Sequence, residues 1–172
     1  MTRDDFTAAF EEHKDAVYHF ALRMTNSSSI ADDIAQDVFV ALLRAKHIDA
    51  DCTSVKAWLL GVARHLIWKH WRRVGKLASL DERIHDVARP NPESIEAQAV
   101  AAAIANLRLL QREVLILATY EGMSLQEIAQ TLKLDVGTVK ARLYRARQTL
   151  KRQLAEYKPD CTCEAQHVNV DR

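Results

Sequence analysis

Apolar residues recur along most of this chain at intervals of three and four, the spacing that gathers them on one face of an α-helix. The pattern runs from about Phe6 to Thr25 and stops at Asn26, Ser27, Ser28 and Ser29, a cluster suited to a turn and an N-cap. It resumes from Ile30 to Ala45, where Ile30, Ile34, Val38, Ala41 and Leu42 form one stripe and read as core. The other side of that helix carries Asp32, Gln36, Phe39 and Leu43, an acidic and aromatic face fit either for a partner or for the first helix. Lys46 to Ser54 is a polar loop in which Asp49, Asp51, Thr53 and Ser54 can satisfy backbone groups locally. From Val55 to Arg73 a long helix follows. Its stripe of Val55, Trp58, Leu59, Val62 and Leu66 predicts a core face, while Arg64, Trp68 and Trp71 lie roughly opposite, beside Ile67.

Between Gly75 and Gln98 the period fades among Gly75, Ser79, Pro90, Asn91 and Pro92, which predicts a linker and divides the chain in two. Helical signal returns through Ala97 to Leu107 and again from Leu110 to Tyr120, with Gly122 placed as a C-terminal cap. Ser124, Leu125, Gln126 and Glu127 spell a capping box for a short helix ending near Leu132. Asp135 can cap one more, along which Val136, Val139, Leu143, Ala146 and Leu150 form an apolar stripe. Two short-linked capped helices in this order make a helix-turn-helix. Opposite the last stripe, Thr138, Arg142, Arg145, Thr149 and Arg152 are expected to point outward, with Ala141 leaving room for close approach to a groove.

Composition changes this picture in two respects. Only 4 Gly and 3 Pro among 172 residues, with abundant Ala, Leu, Gln, Glu, Lys and Arg, favour an all-α fold of one or two small domains. Apolar runs such as Val114 to Tyr120 fall far short of the roughly 20 residues that span a bilayer, so no membrane insertion is expected and the chain is expected in the cytoplasm. Net charge is +1, from 24 Lys and Arg against 23 Asp and Glu, yet this averages segments of opposite sign. Arg64, Lys69, Arg72, Arg73 and Lys76 form one run without an acid, and Lys140, Arg142, Arg145, Arg147, Lys151 and Arg152 form another. Two separated basic segments suit a polyanion touched in two places, or simply two solvated helix faces.

The chemistry these patterns offer is recognition. A Trp pair among Arg, Lys and His suits stacking on unpaired bases, although Trp68 and Trp71 suit a second core contact as well. A helix-turn-helix enters the major groove by the first turns of its second helix, here Gly137, Thr138, Lys140, Ala141, Arg142 and Arg145. No glycine-rich phosphate loop, nucleophile elbow or paired-His metal motif occurs, and the 7 His are scattered. No enzyme and no small-molecule substrate are expected.

Both halves together resemble an extracytoplasmic-function sigma factor of bacterial RNA polymerase, over nearly the whole chain. Ala31-Asp32-Asp33-Ile34-Ala35-Gln36-Asp37-Val38-Phe39 is similar to that family's polymerase-binding helix, and Ala57-Trp58-Leu59 through Arg64 to the start of its promoter-melting helix. Leu110-Gln111-Arg112-Glu113-Val114, Tyr120-Glu121-Gly122-Met123-Ser124-Leu125-Gln126-Glu127-Ile128-Ala129 and Gly137-Thr138-Val139-Lys140-Ala141-Arg142-Leu143-Tyr144-Arg145-Ala146-Arg147 resemble its DNA-binding domain. The resemblance implies region 2 over 1–74, a flexible linker over 75–95, the region 4 helix-turn-helix over 96–157 and a Cys-containing tail over 158–172. It implies that Asp32, Asp33, Gln36, Asp37 and Phe39 dock on core RNA polymerase. Lys46, His47, Asp49, Ser54, Arg64, Trp68, Trp71 and Arg72 would open and hold the −10 element of promoter DNA, and the helix-turn-helix would read the −35 element. An anti-sigma protein is the further expected partner. The competing reading is an autonomous helix-turn-helix regulator that binds duplex DNA without polymerase.

The tail departs from this plan. Cys161, Cys163 and His167 are candidate ligands for a soft metal, or with Cys52 a thiol switch, but three ligands are fewer than the four of a closed zinc site. No cofactor is otherwise expected.

Overall fold

The structure, a computed structural model, describes residues 3–45, 54–75 and 95–156. Among the described residues the regular structure is entirely helical: α1 (Arg3–Thr25), α2 (Ser28–Arg44), α3 (Val55–Arg73), α4 (Ile95–Ala105), α5 (Leu109–Thr119), α6 (Leu125–Leu132) and α7 (Val136–Glu156). None of these is long and apolar enough to cross a membrane. The boundaries follow local chemistry. Asn26 sits at φ 57°, a left-handed turn that Asn tolerates, and Thr25 ties it down by donating its hydroxyl to the Ala21 carbonyl at 2.8 Å. Ser54 caps α3 by accepting from the Ala57 amide at 3.1 Å. Between α5 and α6 the turn is made by Gly122 at φ 67°, and Lys133 at φ 53° ends α6 left-handed, its amide returning to the carbonyls of Ala129 and Gln130.

α1, α2 and α3 pack as a bundle around Phe20, Met24, Val38, Leu42, Leu59, Leu60 and Ile67, all buried. Each fully buried Leu, Ile, Phe or Met contributes roughly 1.5–3 kcal/mol over its exposed state. α5, α6 and α7 enclose a second group, among them Val114, Ile116, Ile128, Val139 and Leu143. The two groups are contiguous, because α1 packs on α5 and α3 on α6. The division into two helical halves therefore appears as two bundles pressed together.

That closure corrects the reading of α3. Leu60, Ala63, Ile67 and Trp71 form the buried stripe together with Leu59, while Val55, Trp58, Val62 and Leu66, expected as the core face, are half-buried. A helix covered by α1 and α2 on one side and by α6 on another shows no single apolar stripe.

Candidate nucleic-acid interface

The helix-turn-helix is built by two caps. The Ser124 hydroxyl accepts from the Glu127 amide at 3.2 Å, and the Glu127 carboxylate accepts from the Ser124 amide at 2.8 Å. These hydrogen bonds hold the Glu127 carboxyl below its ordinary range. At the start of α7 the Asp135 carboxylate accepts from the Thr138 amide at 2.8 Å and the Thr138 hydroxyl at 2.5 Å, which lowers its pKa as well. Gly137 makes room for this cap, since a Cβ there would lie 2.9 Å from Asp135 Oδ1.

Of the residues expected on the outer face of α7, Gly137, Lys140 and Arg145 are exposed and Ala141 is half-buried. Thr138 is half-buried and bonded to the exposed Asp135, while Arg142 is half-buried with its charge acting on Glu113, which corrects the outward reading of Arg142. The exposed stripe is instead Gly137, Lys140, Tyr144, Arg147 and Lys151, flanked by Arg145, Gln148 and Arg152. Tyr144 is 65% exposed and was missed. Its spacing of four from Lys140 was the available signal, hidden because a Tyr beside Leu143 looks like core.

On α3 the expected face is divided. Trp71 is buried beneath Trp68, with their rings edge to face at 6.1 Å, so it is a core residue and not a solvent-facing one. Arg64 donates from Nε to Glu113 Oε1 at 2.5 Å, and Trp68 Nε1 lies 3.4 Å from the same oxygen. What α3 shows to solvent is His65, Lys69, Arg72 and Arg73. Ser54 is taken up by its cap, while Lys46, His47 and Asp49 lie outside the described residues, as do Cys52, Cys161, Cys163 and His167. Among the described residues no group of His, Cys, Asp and Glu is placed to hold a metal ion.

On α2, Asp32, Asp33, Gln36 and Asp37 are exposed together with Val40 and Leu43. Phe39 is not with them. It is buried against the rings of Phe10, 4.8 Å away, and Phe6, 6.5 Å away, because α1 reaches back to Arg3 and covers it. Between α1 and α2 an apolar groove remains, lined by Phe6, Phe10, Tyr18, Gln36, Val40 and Leu43.

Comparison with known proteins places both halves. Residues 9–76 match the family described as Sigma-70 region 2, and residues 97–150 match Sigma-70, region 4. The ECF RNA polymerase sigma factor SigC of Mycobacterium tuberculosis is 31% identical over 149 residues, covering 84% of this chain and 78% of that protein. The chain belongs to the ECF RNA polymerase sigma factors. SigL of M. tuberculosis is 28% identical over 87% of this sigma factor and 88% of the relative. SigE of Mycolicibacterium smegmatis is 30% identical over 85% of it, and there the match spans only 60% of the relative. Among solved structures, the sigma factor RpoE in complex with the anti-sigma factor NepR from Bartonella quintana superposes with a TM-score of 0.73 at 26% identity, covering 90% of this chain and 99% of that one. CnrH in complex with the cytosolic domain of CnrY gives 0.69 at 27%, covering 91% and 92%. Region 2 thus corresponds to α1 to α3, and region 4 to α4 to α7.

Proposed function

We propose that this sigma factor binds core RNA polymerase through the exposed face of α2 and directs it to promoters that α7 reads as duplex and α3 helps to open. The observation that carries this reading is the outer stripe of α7, basic, exposed and presented by a doubly capped helix-turn-helix within a chain matching regions 2 and 4. Gly137, Lys140, Ala141, Tyr144 and Arg145 lie over the first turns, which enter a major groove, and Arg147, Lys151 and Arg152 follow along the backbone. Arg takes guanine edges or phosphates, and a Tyr ring offers an apolar contact to a thymine methyl.

Asp32, Asp33, Gln36 and Asp37, with Val40 and Leu43, form a polar face with an apolar edge, the composition of a protein interface. Phe39 supports that face from below. Arg64, Trp68 and the exposed Arg72, together with Lys46, His47, Asp49 and Ser54 ahead of α3, are assigned to the −10 element. Phosphodiester synthesis belongs to the polymerase, and the chain works in the cytoplasm beside it. The solved sigma factor RpoE above is in complex with the anti-sigma factor NepR, and a protein of that class is the proposed inhibitor here.

Run-off transcription tests this reading, with purified core polymerase, this protein and a pool of fragments from its own genome. Specific transcripts that require the protein are expected, and their loss is expected when Asp32, Gln36 and Asp37 are replaced together by Ala. Duplex binding without any transcript would instead support an autonomous regulator. Repeating the reaction with zinc, copper or reductant tests Cys161, Cys163 and His167 as a sensor.

A further inference from the structure

The contact between the two halves consumes side chains that the −10 element would otherwise use. Glu113 is fully buried, and its Oε1 receives Arg64 at 2.5 Å with Trp68 Nε1 at 3.4 Å. A carboxylate so placed satisfies a guanidinium and an indole N–H much as a phosphate oxygen would. The surrounding contacts also join one half to the other. Lys56 on α3 reaches the Glu121 carboxylate at 3.0 Å and the Glu121 carbonyl at 2.9 Å. Arg112 donates across to the Met24 carbonyl at 3.1 Å, and Arg23 lies 4.0 Å over the Tyr120 ring. Gly61 lies where α3 meets α6, its Cβ position in ordinary contact distance of Thr131 Cγ2 at 3.7 Å.

This interface is polar for its depth. Glu113 Oε2 and Arg112 Nε are buried without a hydrogen-bond partner, and burial brings Arg112 down to about 10. A junction that leaves such groups incompletely satisfied gains less from closing than an apolar one of the same size, so it suits halves that part. Arg142, whose charge also acts on Glu113, is a cation that stays within reach of that carboxylate once Arg64 withdraws. The outer stripe of α7 is exposed in the closed chain, and the half-buried Arg64 and Trp68 are not.

We propose that Glu113 is an intramolecular competitor for Arg64 and Trp68, so that the closed sigma factor is able to bind duplex DNA through α7 but engages single-stranded DNA through α3 only after its halves separate. This rests on the assignment of Arg64 and Trp68 to the −10 element.

The test uses the full chain with Cys52, Cys161 and Cys163 replaced by Ser, a fluorescent random-sequence single-stranded DNA pool and a random duplex pool. Two constraints act on the junction from opposite sides. Gly61→Cys with Thr131→Cys, joined by a reductant-cleavable thiosulfonate linker, holds the halves closed. Glu121→Lys sets two cations against each other and opens them, read as a longer distance between dyes on α2 and α7, and Lys56→Glu added to it recloses them. The linked protein is expected to lose single-strand binding, to keep duplex binding and to regain the former on reduction. Glu121→Lys is expected to tighten single-strand binding about tenfold, since apparent affinity scales with the open fraction.

Unchanged single-strand binding by the linked protein, or by an opened Glu121→Lys protein, overturns the proposal. Arg64→Ala separates that failure from failure of the assignment beneath it. If it weakens single-strand binding in the Glu121→Lys background while the linked protein binds normally, the −10 assignment stands and the competition is refuted. If it has no effect in the opened protein, the assignment of Arg64 fails and Glu113 competes for nothing.

Discussion

α3 and α7 begin from similar material and end in different situations. Each is a long helix with an acid-free run of cations, and each carries an aromatic residue off its main apolar stripe, Trp68 and Tyr144. α7 lies at the surface of its bundle, so Lys140, Tyr144, Arg147 and Lys151 remain exposed. α3 lies where the bundles meet, so Arg64 and Trp68 are drawn to Glu113 and Trp71 is covered. A basic helix face is therefore available for DNA only if no carboxylate from the rest of the fold reaches it first, which the helix's own sequence does not record.

The strongest way to break the comparison is to remove the junction. Arg112→Met deletes donors to the carbonyls of Met24, Ala105 and Leu107, and leaving buried acceptors unpaired should cost roughly 3 kcal/mol in chemical denaturation. The helix-turn-helix caps are remote from those groups, so duplex binding by the folded fraction should persist. A loss within experimental error of zero would show that buried Arg112, which bonds within its own half as well as across the junction, contributes little to stability.

Next in size is the outer face of α7. Arg145→Ala or Tyr144→Ala should weaken promoter duplex binding by about 1–3 kcal/mol if a base contact is lost, with the dye distance between α2 and α7 unchanged. Lys151→Ala should instead weaken all duplexes alike and reduce the salt slope by about one. Sequence discrimination unaltered in the Arg145 and Tyr144 variants would remove them from readout.

Ser124→Ala should cost about 1 kcal/mol of stability by deleting one side of the capping box, seen by denaturation and by weaker duplex binding. Single-strand binding through α3 should not follow it. A matching fall in both would mean that the two helices are less independent than the faces suggest.

The smallest effect, and the most diagnostic, is that of pH. Burial raises the Glu113 carboxyl above its ordinary range, against the opposing pull of Arg64, Trp68 and Arg142. Between its unfolded and folded pKa the folded chain then holds the extra proton, so this contribution is complete below the ordinary carboxylate range and declines as pH rises through the raised value. Glu127 is shifted down, so its contribution is present above that range and lost as pH falls through the lowered value. The stability difference between wild type and Glu113→Gln should therefore fall with rising pH, and that between wild type and Glu127→Gln should grow. Slopes of the same sign would contradict the contrast between junction and cap.

Local rules were legible wherever the cause was local. Ser124 and Asp135 were readable as caps, and Ser54 as one of several local backbone partners, because a short side chain, its own backbone and the following turn supply the whole interaction. The stripe of Val139, Leu143 and Ala146 was readable because α7 has one buried side. The resemblance put Phe39 on the docking face while periodicity left it open to packing on the first helix, because what covers it, Phe6 and Phe10, is separated from it by more than a helix in sequence. Trp71 was open to either reading, since the same periodicity describes an aromatic that stacks on a base and one that fills a core.

Glu113 marks the limit most clearly. In sequence it is a surface-type residue beside Arg112, in a helix that is mostly apolar, and nothing local says that both side chains are buried. The sequence by itself determined the helices, the caps of α6 and α7, the helix-turn-helix and the two basic runs, because each depends on residues within a few turns of one another; the cap expected of the serines before α2 makes no side-chain hydrogen bond. Only the tertiary structure decided which cations face solvent, since that turns on groups far apart in the chain, Arg64 with Glu113 and Lys56 with Glu121. Desolvation makes such a buried charge costly until an opposite one is brought to it, and the folded packing alone selects the partner.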